Sequence, residues 1–333
     1  MIVSKSLLTL LAAAVPYASA WGSLGHTTVA YMAQNFVSNK TARFAQGLLG
    51  DNSSAYLANV ATWADSYRSE KGGQFSAVYH YLDALDNPPK SCNVDFDRDC
   101  PEEGCIVSAL ANYSSRAFQS SVGLTEQQKA LKWIIHFVGD IHQPLHVENL
   151  EVGGNLINVT FNGVSTNLHS IWDTAIPQKA YGAFSQATAL ALANNLTAEV
   201  KQGKFKAESK QWLAGLKATD AVSSSMTWAR DTNSFVCSTV IPNGPDAVFA
   251  QELSGAYYDS VIPVVTKQLA KAGYRLAAWL DALVELKEKC APSHGAWERE
   301  PRREMKLQPW QEQAKQARRD FGPDCGCGED HAH

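Results

Sequence analysis

The chain has 333 residues, 29 Lys+Arg against 33 Asp+Glu, 9 histidines, 7 cysteines and 45% hydrophobic residues. Its apolar fraction excludes a wholly disordered chain, and its length permits one large domain or two small ones. A formal net charge of −4 excludes a broad basic surface, so a polyanionic substrate would need a local source of positive charge.

At the start, Lys5 precedes the apolar stretch Leu7 to Val15 and then Ala18-Ser19-Ala20. A basic residue, a short apolar run and small residues at −3 and −1 describe a secretory signal peptide, and the run is too short to cross a bilayer. Residues 1–20 are therefore expected to be removed, leaving Trp21 as the mature N-terminus of a secreted, extracellular protein. Five N-x-[ST] sequons, at Asn39, Asn52, Asn112, Asn158 and Asn195, fit a secreted glycoprotein. Cys92, Cys100, Cys105 and Cys237 are disulfide candidates in that compartment. Spacing alone leaves three pairings open. The polar stretch Asp95 to Glu103 reads as a loop in need of a staple, and Cys290 is left at the domain edge.

Helical signals follow. Thr125-Glu126-Gln127-Gln128 reads as a capping box ahead of Leu131, Ile134, Ile135 and Val138 at helical spacing. Asn158 to Phe161, followed by Asn162-Gly163, predicts one short hairpin. Phe184–Val200, Ser223–Phe235, Asp246–Tyr258 and Tyr274–Leu286 carry periodic apolar positions, and Pro263 is expected to start or kink a helix. No repeat or Gly/Ser linker divides residues 21–290, which are expected to form one compact all-α domain with no membrane span.

From about Ala291 the composition changes. Beyond alanine, Met305 and Leu307 are the only aliphatic or Met side chains of 291–333, and this tail is expected to be disordered or at most transiently helical. Its end, from Cys325 and Cys327 to His331 and His333, has soft-metal ligand types. Ordering four ligands on such a segment is costly, so a solvated tail is the simpler reading. The two ends carry eight basic and eight acidic residues, which leaves the −4 balance in 21–290 unchanged.

The histidines carry the chemistry. His26, His80, His136, His142, His146 and His169 lie in 21–290, and two stand four residues before an aspartate: His136/Asp140 and His169/Asp173. Four helical residues turn through about 400°, so each pair projects an imidazole and a carboxylate from one face. That donor set suits zinc. A single such pair is more often a helix-surface hydrogen bond, but two pairs among six histidines weigh against that reading.

The segment His136-Phe137-Val138-Gly139-Asp140-Ile141-His142-Gln143-Pro144-Leu145-His146 resembles the secreted, zinc-dependent single-strand-specific nucleases and 3′-nucleotidases of fungi and plants, which share a fold with bacterial zinc phospholipase C. So do Trp21-Gly22, Gly25-His26, Trp63-Ala64-Asp65, His80-Tyr81-Leu82-Asp83, Gly153-Gly154-Asn155 and Leu168-His169-Ser170-Ile171-Trp172-Asp173. The order and spacing of these pieces make the resemblance specific over about residues 21–290.

The resemblance implies a trinuclear zinc cleft. Asp65, His80, His136 and Asp140 would hold one Zn²⁺, and His146, His169 and Asp173 a second. The third would take the free amino group and carbonyl of Trp21, with His26 and the bridging Asp140. His142 matches no ligand and reads as a buried histidine in supporting hydrogen bonds. An α-amino ligand exists only after signal cleavage, so processing would complete the metal site. Three Zn²⁺ against Asp65, Asp140 and Asp173 leave about +3, which supplies the missing local positive charge. Zinc-activated water would hydrolyse phosphodiester bonds to 5′-phosphorylated products, with Asp65 and Arg68 as catalytic residues and Arg68 stabilising charge on the phosphate. Tyr81 would stack an unpaired base, Asp83 and Asn155 would read its edge, and Val152 would wall the pocket. Family members often carry Phe at the position of Tyr81. Stacking tolerates any base but requires it outside a duplex, which fits single-stranded DNA, RNA and 3′-nucleotides as substrates. A monomer without a stable protein partner is expected. A zinc phospholipase C and a non-catalytic secreted zinc- or nucleic-acid-binding protein are the competing readings; the first lacks use for the base-binding set, and the second would require a missing ligand.

Overall fold

The computed structural model describes residues 21–289 and 307–321. Residues 1–20, expected to be a signal peptide, Cys290 and the Cys325 to His333 motif lie outside the described residues. The first half of the chain carries α1 (Ser23–Gln34), α2 (Asn39–Leu49), α3 (Trp63–Ser69), α4 (Phe96–Asp99), α5 (Ile106–Arg116) and α6 (Leu124–Asp140). A hairpin of β1 (Asn158–Phe161) and β2 (Val164–Asn167) is the only sheet among the described residues. There follow α7 (Leu168–Ser170), α8 (Ile176–Tyr181), α9 (Gln186–Lys201), α10 (Ala221–Phe235), α11 (Ala256–Lys289) and α12 (Pro309–Phe321).

Helix starts obey side-chain capping where a short polar residue is placed for it. Ser38, Ser185 and Asp220 accept from the backbone N–H three residues on, at 3.2, 3.0 and 3.0 Å, and begin α2, α9 and α10. The Thr125 capping box does not form. α6 begins two residues earlier, behind Gly123 and without a side-chain cap, and Gln128 instead donates to the Leu48 carbonyl at 2.9 Å. That bond ties α6 to the end of α2, a tertiary use that outweighs the local one.

The core forms around α1, which is buried from Leu24 to Ala33 and packs against α9 and α11. A helix enclosed on all sides has no polar face to show, which is why its apolar residues give little helical periodicity. α6 packs against α5, and α5 against α10. Trp228 of α10 meets Trp279 of α11 edge to face at 5.5 Å, and the Trp279 indole donates to Ser114 Oγ at 2.9 Å.

Two expectations for the last third are corrected. Most of Asp246 to Tyr258 is not helical, and only Ala256 to Tyr258 belong to α11: after a short 3₁₀ turn at Pro245–Ala247, Ala250 takes φ 56°. The chain there extends along β1, with Ala250 N donating to Asn158 O and Thr160 N to Gln251 O, both at 2.8 Å. Pairing with the open edge of the hairpin satisfies backbone groups that a helix would have satisfied internally. Of the two places expected for Pro263, the start of a helix is excluded, because it lies inside α11. The hairpin itself is as expected, antiparallel with Phe161 opposite Val164, and Asn162 and Gly163 turn at φ 51° and 75°.

The tail expectation is also corrected in part. Residues 309–321 form α12, whose buried Gln311 and Arg318 stand two turns apart on one face. Gln, Glu, Ala, Lys and Arg are strong helix formers, but a lone helix of this length is marginal in water. Docking supplies the rest: Gln311 Nε2 donates to the Leu85 carbonyl at 2.7 Å. The scarcity of aliphatic residues misled because Gln311 and Arg318, both polar, are the buried residues of this helix.

The disulfides are Cys92–Cys237 and Cys100–Cys105. The second closes the turn after α4, and the first joins positions 145 residues apart. All five sequon asparagines are exposed. No helix among the described residues is long and apolar enough to cross a membrane. Removing Cys92–Cys237 by paired serine substitution should lower unfolding free energy by about 3–5 kcal/mol, against about 2 kcal/mol for Cys100–Cys105, because the longer loop loses more closure entropy. Denaturant midpoints of the two variants test the ranking, and equal losses would contradict it.

Candidate metal centre

Six separate pieces of chain converge on one buried cluster. α1 brings His26 and α3 brings Asp65 and Arg68. A 3₁₀ stretch, Gln74–His80, ends on His80, and the last turn of α6 carries His136 and Asp140. The 3₁₀ turn Pro144–Val147 carries His146. His169 sits in α7 and Asp173 in the π turn Ile171–Ala175 that follows it. The second His/Asp pair therefore lies on an α-to-π junction and not on one regular helix; such widened turns are frequent at functional sites. Trp21 and all eight of these histidines and aspartates are buried.

Asp140 stands at the middle of the larger group. Its Oδ2 lies 2.9 Å from His80 Nδ1 and 3.3 Å from His136 Nε2, while its Oδ1 lies 3.0 Å from His26 Nε2. Asp65 Oδ1 lies 3.4 Å from His136 Nε2 and 3.8 Å from an Arg68 guanidinium nitrogen. Arg68 is itself buried, so it is not a surface arginine. In the smaller group, His169 Nε2 is 3.1 Å from His146 Nε2 and 3.2 Å from Asp173 Oδ2. Three combinations have ligand atoms mutually within 4.8 Å: His26/Asp65/His136, His80/His136/Asp140 and His146/His169/Asp173. His26 thus also falls close to Asp65 and His136, not with Asp140 alone. Trp21 O accepts from His26 N at 3.2 Å, which leaves that carbonyl a second lone pair.

The backbone fixes which imidazole nitrogen carries the proton. His136 Nδ1–H donates to Ala61 O, His146 Nδ1–H to His80 O and His169 Nδ1–H to Gly153 O, at 2.7, 2.8 and 2.7 Å. Nε2 is then the nitrogen that each ring turns towards the cluster. The Nε2 atoms of His146 and His169 face one another at 3.1 Å. Two nitrogens on one tetrahedral zinc stand about 3.3 Å apart, from Zn–N near 2.05 Å. His136 Nε2, Asp140 Oδ1 and Asp173 Oδ2 are likewise buried with no hydrogen bond. The donor set fits zinc: imidazole and carboxylate in mixed company, in a dry core.

Electrostatics point the same way. Burial would raise the carboxyls of Asp65 and Asp140, yet His136 and its cationic neighbours hold both well below the usual carboxylate range. Burial would lower His136, but Asp140 and Asp65 push it up to about 10. The pocket field therefore calls for positive charge. Burial brings His80 and His146 down to about 4 against the pull of Asp140 and Asp173, so both are the neutral imidazoles that bind metals.

Close packing protects the arrangement. A Cβ on Gly139 would stand 2.7 Å from His26 Nδ1, so glycine lets the imidazole lie against α6, where it stacks on His136 at 3.8 Å. Glu151, Val152, Gly153 and Gly154 all have φ between 50° and 79°, a left-handed turn that presents the Gly153 carbonyl to His169. Gln143 was not singled out from the sequence. Its Nε2 donates to Asp173 Oδ1 at 2.5 Å and its Oε1 accepts from Leu145 N at 2.6 Å; its place between His142 and His146 was the available signal. His142 takes no part in the cluster. Its Nδ1 donates to Val138 O at 2.7 Å and its Nε2 accepts from Arg275 at 2.9 Å.

Of the base-binding candidates, Tyr81 and Asp83 follow His80 directly, and both meet Arg318 of α12. Val152 is in the left-handed turn, and the Asn155 amide donates to Val152 O at 2.9 Å. A cavity of about 300 Å³ lies between these stretches and α12, lined by Val152, Ala84 and Leu85 but not by Tyr81, Asp83 or Asn155.

A helical domain closed around a buried imidazole–carboxylate cluster suited to zinc defines a metalloenzyme class. The chain belongs to the S1/P1 nuclease family, whose match covers residues 21–285. It is 51% identical to Nuclease S1 of Aspergillus oryzae over 278 residues, 84% of this chain and 96% of that protein. Nuclease P1 of Penicillium citrinum is 46% identical, covering 79% and 97%. Endonuclease 3 of Arabidopsis thaliana is 30% identical, covering 87% and 97%. This chain is a nuclease, and family membership implies zinc for its His/Asp groups.

A fourth group, Asp86/Cys92/Glu148, is not a metal site because Cys92 is bonded to Cys237. Burial pushes Asp86 up to about 6 despite hydrogen bonds from Asn93 N and Asn233 Nδ2, and burial with Asp86 nearby pushes Glu148 well up. A carboxyl whose pKa rises on folding stabilises the fold at low pH, and that contribution is lost as pH climbs through the folded value. Asp86→Asn should therefore flatten the fall in thermal stability as pH rises through about 6, by on the order of 1–3 kcal/mol. Melting curves of parent and variant across that window test this, and parallel pH profiles would refute it.

Proposed function

We propose that the chain is a secreted endonuclease that cleaves single-stranded DNA and RNA to 5′-phosphorylated products and removes 3′-phosphates from nucleotides, at a centre of three Zn²⁺. The observation that carries this reading is the pair of facing Nε2 atoms of His146 and His169, with Asp173 beside them, next to the Asp140-centred group. In this reading Asp65, His80, His136 and Asp140 hold one ion and His146, His169 and Asp173 a second. Trp21, His26 and Asp140 hold the third. When bound, zinc supplies positive charge for a phosphodiester and activates a water near neutral pH.

The chain's own groups do the rest. Ala61, His80 and Gly153 carbonyls hold the ligand imidazoles in the required tautomer. Gln143 holds Asp173 in place. Arg68, placed in α3 one turn after Asp65 and buried beside it, donates to phosphate oxygens as negative charge develops on them. Tyr81 offers its face to an unpaired base, Asp83 and Asn155 accept and donate at the base edge, and Val152 bounds the pocket. The fully buried Trp21 at the head of α1 makes signal removal part of site assembly, since only a new N-terminus provides an amine ligand.

Denatured DNA, RNA and phosphatidylcholine assayed in parallel should give nucleotide release alone. Lipid hydrolysis without nucleotide release would overturn the reading in favour of a phospholipase C. Metal analysis of protein with a verified Trp21 N-terminus should give about three zincs per chain, each with the ligand set expected of such sites. A variant that retains one residue before Trp21 should lose about one zinc and most of its activity; full zinc and full activity in that variant would remove Trp21 from the ligand set.

A further inference from the structure

Residues 309–321 lie beyond the family match, which ends at 285, yet they are docked on the two side chains assigned to the substrate base. The Arg318 guanidinium carbon stands 3.7 Å from the centroid of the Tyr81 ring. Its Nε stands 3.3 Å from Asp83 Oδ2. Arg318 is 7% exposed and Tyr81 8%, so the two planes cover one another. A guanidinium is flat, rich in N–H donors and stacks on aromatic faces. Those are the properties by which a nucleobase would use the same ring and the same carboxylate. Both cannot be there at once.

We propose that α12 is a built-in competitor of the substrate: with the helix docked, Arg318 fills the base subsite at Tyr81 and Asp83, and the enzyme is latent. The idea rests on the base-binding reading given above. Two features suit α12 to reversible blockade. Its contacts with the domain include those of Gln311 to Leu85 O and Arg318 to Asp83, and Trp310 is left 44% exposed. The Asp140-centred cluster and the His146 group are complete without it, so its departure costs the metal centre nothing. Competition of this kind divides the apparent dissociation constant by the fraction of molecules with the subsite open, so affinity falls, and leaves turnover at saturation unchanged.

The test uses the full-length, zinc-loaded enzyme and a single-stranded oligonucleotide. Arg318→Ala should lower KM about tenfold with kcat unchanged, which corresponds to a helix docked about 90% of the time. Ala314→Glu, which sets a charge on the cavity side of α12 without touching Arg318, should lower KM in the same direction. The sign is decisive, because an arginine that instead bound substrate phosphate would raise KM when removed. An unchanged or raised KM in Arg318→Ala overturns the competition. The double variant Tyr81→Ala/Arg318→Ala tests the underlying reading separately. A KM above that of Arg318→Ala supports base stacking at Tyr81 whatever α12 does, and a KM equal to it overturns stacking there and the competition with it.

Discussion

Three aspartates buried in one helical core are the constraint on which this molecule turns. A buried carboxylate without a countercharge is among the most expensive groups a protein can contain. Asp65, Asp140 and Asp173 are all buried, and the groups that meet them are mainly imidazoles, whose charge is optional. The fold makes His80 and His146 neutral by burial and spends the Nδ1 protons of His136, His146 and His169 on backbone carbonyls. What remains is a buried cavity in which imidazole and carboxylate donors from several elements face one another. The helices α1, α3 and α6 and the segment from Pro144 to Ala175 are arranged so that each delivers one or two donors to that cavity.

The same constraint reconciles an acidic protein with a polyanionic substrate. A balance of −4 over the chain would repel nucleic acid if attraction had to come from a basic groove. Charge carried by bound metal is instead concentrated at the point of chemistry, in surroundings of low polarity that screen it little. Specific attraction at one phosphate replaces general attraction along the strand.

Much of this was legible in the sequence, and the parts that were not share a cause. His136 and Asp140 lie on one helix at a spacing of four, a local relation that periodicity exposes. The π turn at Asp173 was not foreseeable, because a widened turn leaves the spacing of four intact. The capping box at Thr125 and the helix expected over 246–258 failed for tertiary reasons: Gln128 is used by α2, and the backbone near Ala250 by β1. α12 was missed because docking through Gln311 and Arg318 leaves no aliphatic signature. The pairing Cys92–Cys237 links positions that only the packed fold brings together.

Three imidazoles of the cluster, those of His136, His146 and His169, are steered by main-chain oxygens of Ala61, His80 and Gly153 and not by neighbouring carboxylates or amides. A carbonyl cannot be deleted by a point mutation. Drift at positions 61 and 153 can disturb the centre only by moving the backbone, so the aim of these histidines is insulated from the identity of the side chains around them. The centre should accordingly tolerate wide divergence in the shell of residues behind its ligands while remaining sensitive to insertions and deletions in the segments that carry those three oxygens.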